Sequence, residues 1–469
     1  MKVLFVSVEI APFAKTGGMS DVCRYLPRAL RKKDMEIRLI TPKFKSPGTQ
    51  KPGMLGSYNI THGIKSGGLY RYNLYSAEHE QIQTYFIENE HYFNRDNIYG
   101  YSDEAERFFF FSLAVLDALA QTGYLPDIIH INDWHAAVIP FLLKELRAVP
   151  LFYKNVKTVF TIHNFGFQGA YDKKAMEQVF ELFDCQELFL HRFFNNEETF
   201  SFMKAGLIYS DVINTVSPTY SKEIAPEVRR LSGRCDVYGI LNGIELDEYD
   251  PAADKKIWIR YSGSNIRLKS QNKLLLQQAL GLKVSGTLPV IAMISRLSTD
   301  KGFDLVLDNI DKISCLDIQF IIMGDGDKTI MQELKKKAGK YPEKLVYGAY
   351  KENLARKIYA GADILLMPSH YEPCGTTQVI AQRYGTIPIV RETGGLLDTV
   401  SPYGKFGSEA TGFSFRDASG DSLLQALTDA LHVLKRTDLW EKLMLNAIEY
   451  NYSWDMAAQK YFELYRTLI

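Results

Sequence analysis

The stretch KVLFVSV, from Lys2 to Val8, is rich in the β-branched and aromatic residues that favour a buried strand. A loop with two glycines follows it, and residues Asp21–Lys32 then carry apolar side chains at helical spacing. The next apolar run, Ile37–Thr41, predicts a second strand. A strand, a helix and a strand in this order predict a unit of the kind that builds parallel sheets.

This pattern recurs along the chain and starts again in its second half. Two turn signals, Asn242-Gly243 and Asp250-Pro251, indicate a linker between the halves. We therefore predict two doubly wound α/β domains facing a central cleft, over residues 1–245 and 246–450, with a C-terminal helix over residues 451–469 that packs on the N-terminal domain. The second-half strands are predicted at Pro289–Ile294, Ile318–Met323, Lys344–Tyr347, Ile364–Met367 and Ile387–Val390, before a helical stretch from Asp421 to Thr467.

Composition narrows the class of protein. The chain has 469 residues, 46% hydrophobic and 23% charged, as expected for a globular protein with more than one domain. Its 55 basic and 55 acidic residues give no net charge, which argues against nucleic-acid and membrane partners. The sequence begins directly with a strand, and its five cysteines are odd in number and far apart. These features predict a cytoplasmic protein without disulfides.

A glycine-rich loop follows the first strand. It contains Lys15, Thr16, Gly17 and Gly18, and Asp21 after it can cap the next helix. The loop lacks the pattern of a Walker A or dinucleotide motif. A tight structural turn is the alternative interpretation, so the loop gains weight only beside other binding residues.

The second half has a basic counterpart. Arg296 and Lys301 lie five residues apart beside Gly302, after the predicted strand Pro289–Ile294. A planar guanidinium and an ammonium in this arrangement suit a pyrophosphate. Two solvated surface cations would explain an isolated pair equally well.

The stretch MPSHYEPCGTTQ, from Met367 to Gln378, follows another buried strand. It places Glu372 and the free N–H groups of a new helix after Gly375 at one spot, which suits a sugar that carries a phosphate. An ordinary strand-to-helix turn is the alternative. Tyr350 stands at the end of a neighbouring strand, where its ring could lie on a base.

Polar residues end two strands of the first half. They lie in His130–His135 and in Thr161–Gly166, and they comprise three histidines, one aspartate and two asparagines. This grouping favours a polar wall that contacts sugar. Neither a cysteine pair nor an HExxH helix accompanies it, so we predict no metal site.

Taken in order, these motifs resemble those of bacterial glycogen synthases and plant starch synthases, over nearly the whole chain. The resemblance implies a GT-B fold of two Rossmann-like domains and retaining glucosyl transfer from ADP-glucose to the non-reducing end of an α-1,4-glucan. The motifs that carry it are Lys15–Gly18, Asp133–His135, Thr161–Asn164, Thr215–Pro218, Gly239–Ile244, Arg296 with Lys301, Glu372–Gly375 and Glu392–Leu396.

The resemblance also implies roles for single residues. Arg296 and Lys301 would bind the distal phosphate of the donor and neutralise the charge on the leaving group. Glu372 would hold the glucosyl hydroxyls, and the carbonyl of His163 would face the anomeric carbon. The other implied donor-binding residues are Lys15, Gly17, Gly18, Asn242, Tyr350, Gly375, Thr376 and Thr377, and Asp133 and Asn164 would lie on the acceptor side.

The family's reaction implies front-face attack, in which the phosphate itself takes the proton of the acceptor. ADP-glucose is then a substrate, and neither a cofactor nor a metal is expected. One alternative is another retaining GT-B transferase with a different donor base or a small acceptor such as a sugar phosphate. The other is a non-catalytic glucan-binding protein, which is disfavoured because Lys15, Arg296, Lys301 and Glu372 are all present.

Overall fold

The computed structural model of the chain describes residues 1–45, 52–60, 71–145, 151–185 and 198–469, with residues 151 and 152 in their backbone only. These residues form two compact units. The first unit comprises Met1–Val216, Ser221–Ile240 and Trp454–Ile469. The second comprises Ser217–Tyr220 and Leu241–Ser453.

The first unit contains a nine-stranded sheet in the order β11-β10-β7-β6-β1-β2-β5-β4-β3 and a two-stranded ribbon of β8 and β9. Its strands are β1 (Lys2–Val6), β2 (Glu36–Pro42), β3 (Gly53–Asn59), β4 (Arg71–His79), β5 (Ile82–Glu88), β6 (Ile128–Asn132), β7 (Lys157–Ile162), β8 (Ala170–Asp172), β9 (Thr199–Ser201), β10 (Val212–Thr215) and β11 (Val237–Gly239). Its helices span Gly18–Arg31, Glu90–Phe93, Glu104–Thr122, Ile139–Glu145, Lys173–Leu182, Phe202–Tyr209 and Trp454–Arg466, with 3₁₀ turns at Trp134–Ala136 and Leu151–Asn155.

One edge of this sheet departs from the predicted pattern. Strand β4 pairs antiparallel with both β3 and β5, whereas the other pairs of the sheet are parallel. The sequence did not predict β3 or β4, because β3 has mostly exposed residues and lacks an apolar run. The first helix also begins earlier than predicted, at Gly18, so Asp21 lies inside its first turn and does not cap it.

The second unit contains a six-stranded parallel sheet in the order β14-β13-β12-β15-β16-β17. Its strands are β12 (Val290–Ile294), β13 (Gln319–Met323), β14 (Leu345–Gly348), β15 (Ile364–Met367), β16 (Ile387–Arg391) and β17 (Phe413–Phe415). Its helices span Lys269–Ala279, Phe303–Cys315, Lys328–Lys340, Glu352–Gly361, Thr377–Arg383, Gly394–Thr399, Tyr403–Phe406, Gly420–Leu434 and Thr437–Glu449, with 3₁₀ turns at Gly263–Leu268, Thr299–Lys301 and Gly407–Glu409. The helix Pro218–Ser232 begins in this unit and continues in the first.

The central strands of both sheets are buried on their two faces, as parallel strands covered by helices are. Every residue of β6, β12, β13 and β15 is buried. The predicted α/β class with two doubly wound, mainly parallel sheets is therefore confirmed. Within the described ranges, no helix is both long and apolar enough to cross a bilayer. The loops after the carboxyl ends of these strands carry most of the predicted site residues.

Candidate functional site

The glycine-rich loop of the first unit is held by a buried carboxylate. Glu9, which follows β1, accepts hydrogen bonds from the N–H groups of Thr16 and Gly17 at 2.7 and 3.0 Å on Oε2. Its Oε1 accepts the hydroxyl proton of Tyr99 at 2.6 Å. Glu9 itself is 4% exposed. The sequence interpretation missed Glu9, although an acid directly after an apolar strand is a usable signal.

Lys15 stays at the surface of the same loop. Its Nζ lies 2.7 Å from Oδ1 of Asp21, and 55% of its side chain is exposed. An exposed pair of this kind contributes little to stability. Lys15 can therefore exchange Asp21 for an anionic ligand at small cost.

Asp133 occupies an unusual position after β6. Its φ of +60° is rare for a residue with a side chain, and such backbone strain gathers at functional sites. Burial raises the pKa of its carboxyl to about 7, and the charge of Glu9 adds to the rise, whereas the N–H groups of Asn164 and His163 lower the pKa. Oδ1 of Asp133 has no hydrogen-bond partner among the described residues. Asp133 is thus a strained acid that titrates near neutral pH and has a free acceptor atom.

His163 and Asn164 follow β7 and lie beside Asp133. Nε2 of His163 is 3.0 Å from Oδ1 of Asn132, and burial lowers the pKa of the imidazole to about 3. Nδ2 of Asn132 donates to the carbonyl of Val6, so its Oδ1 is the acceptor and His163 carries its proton on Nε2. The structure thus brings together the predicted residues Asp133, His163 and Asn164.

The other two histidines do not belong to a polar wall. His130 is fully buried and contacts Tyr465 and Thr161 with its two ring nitrogens. His135 is 4% exposed and stacks between Trp134 and Tyr99, with ring centroids 4.1 and 5.0 Å away. The prediction that all three histidines line one wall is therefore wrong for His130 and His135, because both are packed in the interior.

Lys301 and Glu372 meet in the second unit. Nζ of Lys301 lies 2.8 Å from Oε2 of Glu372, and only 17% and 11% of the two side chains are exposed. The hydroxyl of Ser369 donates to the same carboxylate oxygen at 3.3 Å. A shielded ion pair of this kind gives little net stability, because desolvation offsets the attraction. Its placement after β12 and β15 therefore indicates a function.

The backbone around Glu372 is packed without room for side chains. Gly375 has a φ of +72°, and Gly394 has a φ of +45°. A Cβ atom on Gly394 would lie 2.0 Å from the carbonyl oxygen of Glu372. Arg391 supports the preceding residues, since its Nε donates to the carbonyl of Ser369 at 2.7 Å and its Nη2 to that of His370 at 2.6 Å. Sequence analysis missed Ser369 and Arg391, which carry no motif of their own.

Arg296 and Tyr350 are exposed in the same unit. The guanidinium of Arg296 is 62% exposed, and its Nη2 lies 3.5 Å from Oδ2 of Asp300. Tyr350 is 53% exposed, and its N–H donates to Oδ2 of Asp325 at 2.9 Å. The structure joins Lys301 to Glu372 directly, whereas Arg296 keeps Asp300 as its partner.

Asn242 and the residues after Gly375 complete the predicted set. The N–H of Asn242 donates to the thiol of Cys374, and burial raises the pKa of that thiol to about 12, so it stays protonated. Oδ1 of Asn242 is buried without a hydrogen-bond partner in the described part of the chain. Thr376 is the N-cap residue of the helix Thr377–Arg383, where the structure shows no side-chain cap. In the described ranges no three His, Cys, Asp or Glu side chains are grouped as a metal site.

Two family descriptions match the sequence. "Starch synthase catalytic domain" matches residues 2–237, and "Glycosyl transferases group 1" matches residues 281–450. The chain is 40% identical to the glycogen synthase of Clostridioides difficile and 42% identical to that of Clostridium kluyveri, with 100% of each chain covered. The chain belongs to the glycogen and starch synthase family. The predicted family and the predicted enzyme class, a glycosyltransferase acting as a glycogen or starch synthase, are confirmed.

Solved structures agree with this assignment. The synthase is similar to the catalytic domain of starch synthase IV from Arabidopsis thaliana, with a TM-score of 0.88, 30% identity and 99% of both chains covered. That structure holds ADP and acarbose. Sucrose-phosphate synthase from Thermosynechococcus elongatus has a TM-score of 0.63 at 18% identity, covering 100% of the synthase and 98% of that chain, and it supports the fold alone.

Proposed function

We propose that this synthase transfers glucose from ADP-glucose to the non-reducing end of an α-1,4-glucan with retention at the anomeric carbon. The observation that carries the proposal is the shielded pair of Lys301 and Glu372, at 2.8 Å, beside the glycine-constrained turn. The related starch synthase with bound ADP and acarbose supports the substrate classes. The proposed location is the cytoplasm, since five cysteines scattered through the sequence favour a reducing compartment.

Donor binding would exchange the ion pair for two new contacts. The ammonium of Lys301 would move to the distal phosphate of the donor, and the carboxylate of Glu372 would accept hydrogen bonds from glucosyl hydroxyls. Arg296 is free to reach the same phosphate, since its bond to Asp300 is long and exposed. Neither charge would be left buried and unpaired, which keeps the exchange low in energy.

The chemical step then needs charge stabilisation more than acid–base catalysis. The bond from the anomeric carbon to the phosphate oxygen breaks, and negative charge grows on the phosphate between Lys301 and Arg296. The acceptor hydroxyl forms the new bond on the same face and gives its proton to that phosphate. In this scheme Asn242 and the amides of Thr376 and Thr377 bind the donor, and the loop with Lys15, Gly17 and Gly18 is proposed as a further donor-binding element.

We also propose that transfer requires neither a metal nor a cofactor, because Arg296 and Lys301 can supply the positive charge that a metal would supply. Asp133 and Asn164 are proposed to contact the acceptor. Oδ1 of Asp133, which has no hydrogen-bond partner among the described residues, would accept a hydrogen bond from a sugar hydroxyl. Because no metal takes part in this scheme, EDTA should leave the rate of glucosyl transfer unchanged. A rate that falls with EDTA and returns with Mg²⁺ or Mn²⁺ would contradict the metal-free scheme.

A donor and acceptor panel tests the function. Pure protein receives radiolabelled ADP-glucose or UDP-glucose together with glycogen or glucose 6-phosphate, and the product is digested with β-amylase. We expect label from ADP-glucose to enter glycogen and to be released as maltose, which places it at a non-reducing α-1,4 end. Incorporation from neither donor would overturn the proposal, and transfer to the sugar phosphate alone would favour a different retaining transferase.

A further inference from the structure

Four residues of the second unit interrupt the first unit in sequence. Ser217–Tyr220 belong to the second unit, although the chain before Ser217 and after Tyr220 belongs to the first. This segment contains the end of the motif Thr215–Pro218, to which the proposed reaction gives no role. Within the second unit its residues contact both neighbours of Glu372.

Ser217 binds the residue that follows Glu372. Its hydroxyl donates to the carbonyl of Pro373 at 2.6 Å and accepts the N–H of Tyr220 at 3.2 Å. Ser217 is fully buried. Its hydroxyl therefore holds the peptide between Pro373 and Cys374, one residue beyond Glu372, and an alanine there would leave the carbonyl of Pro373 without this donor.

Tyr220 binds the residue that precedes Glu372. The hydroxyls of Tyr220 and Tyr371 are hydrogen-bonded, and their rings meet edge to face with centroids 5.5 Å apart. Tyr220 is fully buried, so its ring has a fixed orientation. The turn is thus held on both sides of the carboxylate by one short segment.

Thr219 adds an indirect contact. Its N–H and its hydroxyl both donate to the carboxylate of Asp398 at 2.8 Å. Asp398 lies on the helix Gly394–Thr399, and Gly395 of that helix donates its N–H to the carbonyl of Glu372 at 3.1 Å. The segment therefore also binds the helix whose N-terminus contacts the backbone of Glu372.

We propose that Ser217 and Tyr220 are positioning residues for Glu372. They keep its carboxylate where it meets Lys301 and, in the proposed reaction, the glucosyl hydroxyls. This inference rests on the proposed role of Glu372 in donor binding. A displacement of about 1 Å at a reacting group can lower a rate by about 10²-fold, so the loss of either hydroxyl should be visible in turnover.

A double-mutant cycle with Glu372 tests the inference. In the wild-type background, we expect Ser217→Ala to lower kcat/KM for ADP-glucose by roughly 10- to 100-fold, and Ser217→Thr, which keeps the hydroxyl, to restore most of it. In a Glu372→Ala background, the same Ser217→Ala change should cost less than about threefold, because Ser217 acts through Glu372. Tyr220→Phe should follow the same pattern and serves where Ser217→Ala fails to fold.

Ser112→Ala is the matched control, since Ser112 is also fully buried and donates to a backbone carbonyl, that of Phe108, at 2.9 Å. Equal losses from Ser217→Ala with and without Glu372, or a loss no larger than that of Ser112→Ala, would overturn the inference while the synthase activity stands. A wild-type protein that transfers no glucose from ADP-glucose would instead overturn the proposed function and the inference together.

Discussion

The hydroxyl of Tyr465 donates a hydrogen bond of 2.6 Å to Nδ1 of His130, although 335 positions separate the two residues. The direction follows from the neighbours of the ring. The hydroxyl of Thr161 donates a hydrogen bond to Asn214 at 2.7 Å, so its oxygen accepts a hydrogen bond from the N–H at Nε2 of His130. Nδ1 of His130 is then the acceptor for Tyr465. Asn214 in turn donates to the hydroxyl of Tyr461 at 2.9 Å. A chain of hydrogen bonds that starts and ends on the C-terminal helix thus binds this helix to strands β6, β7 and β10.

Tyr465→Phe should lower the free energy of unfolding of the first unit by about 1–3 kcal/mol, because it leaves Nδ1 of His130 buried without a donor. Urea unfolding followed by hydrogen exchange of the peptides over β6 and β7 measures the change. Tyr238→Phe is the control, since Tyr238 lies in the same unit and is 49% exposed. Equal stability of the two variants would contradict the structural role of the network.

The stability of the first unit should fall as the pH drops below about 6.5. Burial lowers the pKa of His130 and of His163 to about 3 and that of His135 well below its ordinary value, so all three stay neutral when folded. They take up three protons on unfolding, and Asp133, protonated in the folded state, releases one. The net uptake of two protons predicts a slope of about 3 kcal/mol per pH unit between pH 5 and 6. A flat profile in that range would contradict this proton count.

Asp133→Asn should raise the net proton uptake on unfolding from two to three, which steepens the slope. It should also stabilise the protein at alkaline pH. The folded pKa of Asp133, about 7, lies above its unfolded value, so the stability that its protonated form gives is lost as the pH rises toward 7. Asparagine tolerates the positive φ and carries no charge. Thermal unfolding at pH 5.5 and pH 8 measures the effect, and a variant that is less stable than wild type at pH 8 would refute it.

Lys301→Ala and Arg296→Ala should each lower kcat by roughly 10²- to 10³-fold if they stabilise the leaving phosphate. Lys337→Ala is a matched control for the lysine, because Lys337 is 21% exposed and pairs with Asp311 at 3.0 Å. Arg267→Ala, whose arginine is 80% exposed and pairs with Glu441 at 2.9 Å, controls for the arginine. Losses confined to KM would indicate uniform binding of ground state and transition state instead.

Glu9→Gln should lower kcat/KM for ADP-glucose by roughly tenfold. The carboxylate of Glu9 accepts three hydrogen bonds. A neutral amide oxygen binds the N–H groups of Thr16 and Gly17 less strongly than a carboxylate does, and the amide nitrogen forces the hydroxyl of Tyr99 to accept where it now donates. Steady-state kinetics with glycogen as acceptor measure the loss, and Tyr99→Phe, which removes one donor only, should cost less. Unchanged kinetics in Glu9→Gln would show that the glycine-rich loop keeps its geometry without this clamp.

Local sequence signals predicted the parts of the fold that depend on them. Apolar runs located β12, β13 and β15 because each strand is buried on both faces, and such strands are continuous in hydrophobicity. The strand β3 has no such run, and β17 has only three residues, so neither carried a readable pattern. Their positions depend on the neighbouring strands.

The candidate site shows the same division. Glycines and charges after strands marked Glu372 and Lys301, but the 2.8 Å contact between them could not be derived from their separation in sequence. His130 and His163 both stand in similar polar stretches at strand ends. Only the packing of Tyr465 on His130 distinguishes an interior histidine from one beside Asp133.

The return of Trp454–Arg466 to the first unit has a consequence for synthesis on the ribosome. Residues Leu241–Ser453 of the second unit emerge before this helix does. During that interval His130 lacks Tyr465, and the face of the sheet that receives the helix is uncovered. The first unit, although it is made first, can complete its folding only after the second has been translated, and a nascent chain paused in between would expose a surface open to chaperones and to aggregation.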